Sequence, residues 1–205
     1  MLGPHVWRQP REVVYTAAMT AASGSSAEFR EGFVVADGFR IRYLEAGDGP
    51  PLVHLHGAGG LRLNPAHALL AERHRVIAFE MPGFGASAEN TRTQNQAGLA
   101  RTMGEATAAL GLDHFNLMGT SFGARTALHL AVQRPDAVLA LVLDAPAAIR
   151  PSGARPPSGT PAEVARLIYA HPERMPPLPS GDSAIQAQTA LLVGRLRGPE
   201  RDAEL

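Results

Sequence analysis

Four short apolar runs constrain the fold of this chain more than any other feature. They are LVHL (52–55), VIAF (76–79), FNLM (115–118) and VLALVL (138–143). Each is strand-length and lacks the polar alternation of a half-exposed strand, so each is expected to be buried. The first three run directly into glycine-containing turns, HGAGG, EMPGFGAS and GTSFG. The fourth runs into Asp144-Ala145-Pro146. Between them lie three helical stretches: 65–73, the alanine-rich 96–110 with Gly111 placed as its C-cap, and 121–133. Buried strands alternating with helices specify an α/β fold with a mostly parallel sheet and helices on both faces. Upstream, GFVVADGFRIRYLEA (32–46) reads as a hairpin closed at Asp37-Gly38, which makes the sheet mixed. Chemistry in such sheets collects at the carboxyl ends of the strands, where all four turns fall.

Composition bounds the remaining classes. The 205 residues are 45% hydrophobic and 19% charged, which is globular and enough for one domain with a real core. The formal net charge is zero, so no electrostatic case exists for nucleic acid or an anionic membrane as partner. There are no cysteines, which removes disulfide frameworks, thiolate metal sites and cysteine catalysis and fits a cytoplasmic location. No apolar run approaches the roughly 18 residues of a membrane span. Residues 1–30 read as a disordered leader without a clear signal peptide, the start being Met1 or Met19. Residues 31–149 hold the sheet. Residues 150–205 open with the loop RPSGARPPSGTP and add two helices, 163–170 and 183–196, with no further strand.

Ser121 sits between Gly119 and Gly123 in GTSFG, at a strand-to-helix junction. A serine there is forced into a strained backbone, and small neighbours let the turn close. The hydroxyl then projects above the sheet, and the Phe122 amide becomes a donor for a developing oxyanion. The bland reading is a glycine-rich turn with an incidental serine. The apolar run before it and the helical run after it favour the nucleophile. In HGAGG, Gly57 gives the loop freedom and the Ala58 amide is the second oxyanion donor. His56 reads as a structural hydrogen-bonder and His54 as a core residue. Gly83-Phe84-Gly85-Ala86-Ser87-Ala88 also matches a dinucleotide fingerprint, G-x-G-x-x-A, but loop-like residues follow where a helix is required.

HGAGG, EMPGFGAS and GTSFGA, in this order, resemble the α/β-hydrolase superfamily over residues 32–149. Glu80 stands where that family usually has Asp. The resemblance implies that residues from Arg150 onward begin a helical cap covering a small-molecule site. It implies no metal and no organic cofactor. Serine at the elbow argues against the dehalogenase and epoxide-hydrolase branches, which use a carboxylate. It points to ester, thioester, lactone or carbon–carbon bond hydrolysis, or to cofactor-free haloperoxidase-like activity.

A serine nucleophile needs a base, and the base needs an orienting acid. The family draws these from the ends of its seventh and eighth strands, and this sequence contains neither. Of 8 histidines only His129 and His171 follow Ser121. His129 is about 12 Å along the same helix at 1.5 Å per residue. His171 lies in a proline-rich loop, and His114 precedes its strand at the wrong end. Asp144 is a candidate acid, its bland alternative being a turn residue before Pro146. The expectation is a C-terminally truncated chain that folds poorly or pairs with another copy through its open sheet edge, and whose hydrolysis is near background. The alternative is a non-catalytic binding module derived from a hydrolase.

Overall fold

The hairpin forms where the turn chemistry places it. Strands β1 (Arg30–Ala36) and β2 (Phe39–Ala46) pair antiparallel, with Asp37 and Gly38 at φ 49° and 72°. In this computed structural model the described residues are 27–147, 160–174 and 183–196. The leader therefore lies outside them up to residue 26. Its last residues do not: Ala27 and Phe29 pack on the sheet, and β1 starts at Arg30.

The four apolar runs become β3 (Pro51–Leu55), β4 (Arg75–Glu80), β5 (Phe115–Thr120) and β6 (Val138–Asp144). The sheet order is β1-β2-β4-β3-β5-β6, with β4-β3-β5-β6 parallel and β2 antiparallel to β4. The chain therefore leaves β3 to one side for β4 and then crosses to the other side for β5. This reversal opens a crevice at the carboxyl ends of β3 and β5, and brings HGAGG beside GTSFG.

Five helices complete the described fold: α1 (Pro65–Ala71), α2 (Gln96–Ala109), α3 (Phe122–Gln133), α4 (Pro161–Ile168) and α5 (Ser183–Arg195). Their ends follow local rules. Asn64, Asn95 and Thr160 cap α1, α2 and α4 with their side chains. Gly111, at φ 71°, lies just past α2, as expected. The sheet is covered on both faces. On one face Val53, Leu55, Ile77, Phe79 and Leu117 pack with Leu99 and Met103 of α2 and Phe122 and Leu130 of α3. On the other, Ala46, Leu52 and Val76 meet Ala71 of α1.

One strand departs from expectation. VLALVL was expected to be buried, but β6 is half exposed: Leu139 is 64% and Val142 53% accessible. The reason is topological. β6 ends the sheet, and no strand pairs with its outer side among the described residues. Its inward residues Val138, Leu141 and Leu143 still pack against the main core.

Candidate active site

β5 ends at Thr120, and the chain turns at Ser121 directly into α3. Ser121 has φ 52° and ψ −110°, a conformation a non-glycine residue adopts only under constraint. The constraints are visible. Ser121 N donates to Asp144 O at 2.8 Å, and Ala147 N donates to Ser121 O at 3.1 Å, so the last residue of β6 and the segment after it clamp both sides of the residue. The flanking glycines are sterically required. A Cβ on Gly119 would lie 2.5 Å from Ala124 Cα, and one on Gly123 would lie 2.3 Å from the backbone oxygens of Leu55 and His56. The two loops touch here: a Cβ on Gly57 would come within 3.5 Å of Ser121 Cβ.

Two amides border this point. Phe122 N is the first of α3, one of the donors a helix leaves without an internal acceptor. Ala58 N follows Gly57, and no acceptor for it is seen among the described residues.

His56 is fully committed elsewhere. Its Nδ1 donates to Gly57 O at 2.7 Å, its Nε2 accepts from Met81 N at 3.0 Å, and its ring meets Phe84 edge-on at 4.6 Å. Burial pushes its pKa down to about 4, so it is neutral near pH 7. It braces the HGAGG loop against the next loop. That second loop is organised by Glu80, whose Oε2 accepts from Ala86 N at 2.7 Å and whose Oε1 lies 3.4 Å from Arg42 Nη1. Ser87 Oγ donates to Glu80 O at 2.5 Å and accepts from Arg42 N at 2.8 Å. The longer acid at this position thus reaches the far side of the loop. No helix follows this loop until α2, so the dinucleotide reading fails on local structure.

α5 seats on the same loop. Thr189 Oγ1 donates to Gly83 O at 3.1 Å, Arg195 Nη1 to Thr91 O at 3.1 Å, and Arg195 Nη2 to Asn90 O. Leu192, Val193 and Leu196 enter the main core. Residues 148–159 and 175–182, in the region expected to cap the site, lie outside the described residues.

A base for Ser121 is not found among the described histidines. His129 is buried in α3, His114 is exposed, and His171 faces Glu173 Oε1 at 3.2 Å on the surface. None is hydrogen-bonded to Ser121. Asp144 is brought to the elbow: its Oδ2 accepts from Thr120 Oγ1 at 3.2 Å. Thr120 also lies 3.3 Å from His54 Nε2, and His54 Nδ1 lies 3.0 Å from His67 Nε2. Sequence reasoning placed His54 in the core and missed this chain of contacts. The available signals were a histidine inside an apolar strand and a second one three residues after the Asn64 cap. Two surface cavities of about 380 and 310 Å³ border α2, and neither is lined by Ser121, Ala58 or Asp144. No group of three or more metal-ligating side chains occurs among the described residues, and no helix there is long and apolar enough to cross a membrane.

A family model described as alpha/beta hydrolase fold matches residues 50–185. The chain is 34% identical over 125 residues to 2-hydroxy-6-oxo-6-(2'-aminophenyl)hexa-2,4-dienoic acid hydrolase of Metapseudomonas resinovorans, covering 58% of this chain and 43% of that protein. It is 32% identical over 142 residues to 2-hydroxy-6-oxo-6-phenylhexa-2,4-dienoate hydrolase of Comamonas testosteroni, covering 64% and 47%. The chain thus spans less than half the length of these relatives. Among solved structures, a bacterial membrane phospholipase A described as a virulence factor superposes with a TM-score of 0.62 at 25% identity, over 82% of this chain and 63% of that one.

Proposed function

This chain belongs to the α/β-hydrolase family, and we propose that it carries the nucleophile half of a serine hydrolase acting on an ester-like or carbon–carbon bond of a small molecule. Ser121 attacks the carbonyl carbon, and the amides of Ala58 and Phe122 receive the charge that develops on its oxygen. The observation that carries this reading is the backbone of Ser121, held at φ 52° between two glycines that tolerate no Cβ. A strained non-glycine backbone persists only where its surroundings enforce it, and such residues cluster at functional sites. The names of the two relatives support a carbon–carbon bond within this range; the phospholipase supports an ester. α5, seated over the loop beneath the site, forms part of a cap.

Asp144 is the carboxylate of the site, because the Thr120 hydroxyl turns toward it beside the nucleophile. No histidine among the described residues meets Ser121, and this supports hydrolysis near background by this chain. The same observation favours a second reading, a binding module that has kept the elbow without turnover. Reaction with a fluorophosphonate followed by peptide mapping separates the two. The serine-hydrolase reading expects an adduct on Ser121 that is absent from Ser121→Ala. No adduct at Ser121 would leave the binding module.

A further inference from the structure

A line of polar groups crosses the sheet behind the elbow: Asn64, His67, His54, Thr120 and Asp144. Consecutive members are 2.9, 3.0, 3.3 and 3.2 Å apart, from Asn64 Oδ1 to Asp144 Oδ2. His54 and His67 are 4% and 2% accessible, and their rings stand 4.7 Å apart. Burial of both rings and their mutual repulsion favour the neutral forms.

A backbone donor and a proton count together fix the direction of the line: Asn64 N donates to His67 Nδ1 at 3.1 Å, so that nitrogen is bare and His67 carries its proton on Nε2. There are four gaps between five groups. The neutral imidazoles and the threonine hydroxyl supply one mobile proton each, three in all. One gap must therefore lack a mobile proton. A hydrogen bond to a carboxylate is the strongest of the four, so Thr120 donates to Asp144. His54 accepts at Nδ1 from His67 Nε2, so its own proton is on Nε2 and is donated to Thr120. The gap without a proton falls between His67 Nδ1 and Asn64 Oδ1, and the bare Nδ1 accepts instead from Asn64 N. Asn64 Oδ1 is meanwhile occupied by Ala66 N at 3.0 Å. His67 Nδ1 and Asn64 Oδ1 then face each other at 2.9 Å as two acceptors, each held by a backbone donor of its own.

The opposite arrangement is also built in. Asn64 Oδ1 waits 2.9 Å from His67 Nδ1 as an acceptor. If the carboxylate is taken away, the Thr120 hydroxyl loses its acceptor and turns to His54 Nε2. Each histidine then carries its single proton on Nδ1, that of His67 pointing at Asn64. No proton is gained or lost.

We propose that His54 and His67 are positioning residues, a buried one-way hydrogen-bond relay that holds the Thr120 hydroxyl on the Asp144 carboxylate and reverses when that carboxylate is removed. The relay ties the strand end beside the nucleophile to the N-cap of α1. Its meaning for catalysis rests on the reading of Asp144 as the site carboxylate, whereas its existence does not.

Long-range proton–nitrogen NMR on the full chain tests it without any turnover, because it distinguishes a protonated ring nitrogen from a bare one. In the wild type, His54 and His67 are both protonated on Nε2. In Asp144→Ala both protons move to Nδ1, including the one on His67, which never touches Asp144. In Asn64→Ala, which removes the acceptor of the reversed state together with the side-chain cap of α1 but keeps the backbone donor to His67, both stay on Nε2. His56, outside the relay, remains protonated on Nδ1 throughout and reports an intact fold. A wild-type spectrum with either relay histidine bare at Nε2 overturns the proposal, even if Asp144→Ala fails to fold. So does a folded Asp144→Ala chain in which His67 is unchanged. Failure of fluorophosphonate labelling would remove the hydrolase reading and leave this outcome untouched.

Discussion

β5 and β6 lie side by side and end at the same serine, yet they are held in different ways. β5 runs between two neighbouring strands, with Phe115 and Leu117 fully buried, and delivers Ser121. β6 has a neighbour on one side only, exposes Leu139 and Val142, and delivers the clamp on Ser121 and the carboxylate of Asp144. The first half of the site is fixed by packing and the second by hydrogen bonds on an open flank. The far edge of the sheet sharpens the contrast. β1 carries Arg30 and Glu31, charges of the kind that discourage edge pairing, whereas β6 carries none before Asp144.

The sharpest way to break the comparison is steric. Gly123→Ala drives a Cβ into two backbone oxygens that cannot move aside, and should cost about 3 kcal/mol. Val142→Thr on the open face of β6 should change stability by less than about 0.5 kcal/mol. Urea unfolding of both variants checks this, and equal costs would erase the distinction between the strands.

Acid sharpens it next. His54 and His56, on and just past β3, are pushed by burial to pKa values of about 3 and about 4, well below the unfolded value near 6.5. Above pH 6.5 both states are neutral there and stability does not depend on these groups. As pH falls below 6.5, the unfolded chain binds protons that the folded chain refuses. Each histidine should then cost about 1.4 kcal/mol per pH unit, until its folded pKa is passed. Urea melts at pH 7, 6 and 5 should show the decline, and His171→Ala, at an exposed position, should leave it unchanged. A flat profile from pH 6.5 to 5 would mean these rings are not buried and neutral.

The smallest expected effect on stability is at the open edge itself. Val142→Lys should be near neutral for folding but should abolish concentration-dependent association of the chain. Sedimentation velocity decides this: a wild type that stays monomeric at high concentration shows that the edge does not pair with another copy.

The strands and helices were legible because burial on both faces leaves a simple mark. VIAF is buried throughout, and FNLM buries Phe115 and Leu117. The elbow was legible because its glycines answer to backbone collisions that local sequence already implies. The exposure of β6 was not, since VLALVL reads as buried whether or not a strand covers its outer side. The polar line from Asn64 to Asp144 was hidden for a related reason. His54 meets Thr120 only through the β3–β5 pairing, and His67 meets His54 only when α1 lies on that face. No spacing along the chain encodes either contact. Asp144 was found as a candidate from its place at a strand end, but its partner Thr120 is visible only in register.

The most direct measurement is the rate at which a fluorophosphonate labels Ser121, with and without added imidazole. The proposed nucleophile, with no histidine beside it among the described residues, predicts slow labelling of the wild type. Imidazole, entering as the missing base, should accelerate it at Ser121 and leave Ser121→Ala unlabelled. Fast labelling that ignores imidazole would show that the chain already holds a base. Labelling that never reaches Ser121 would show that this serine is not a nucleophile.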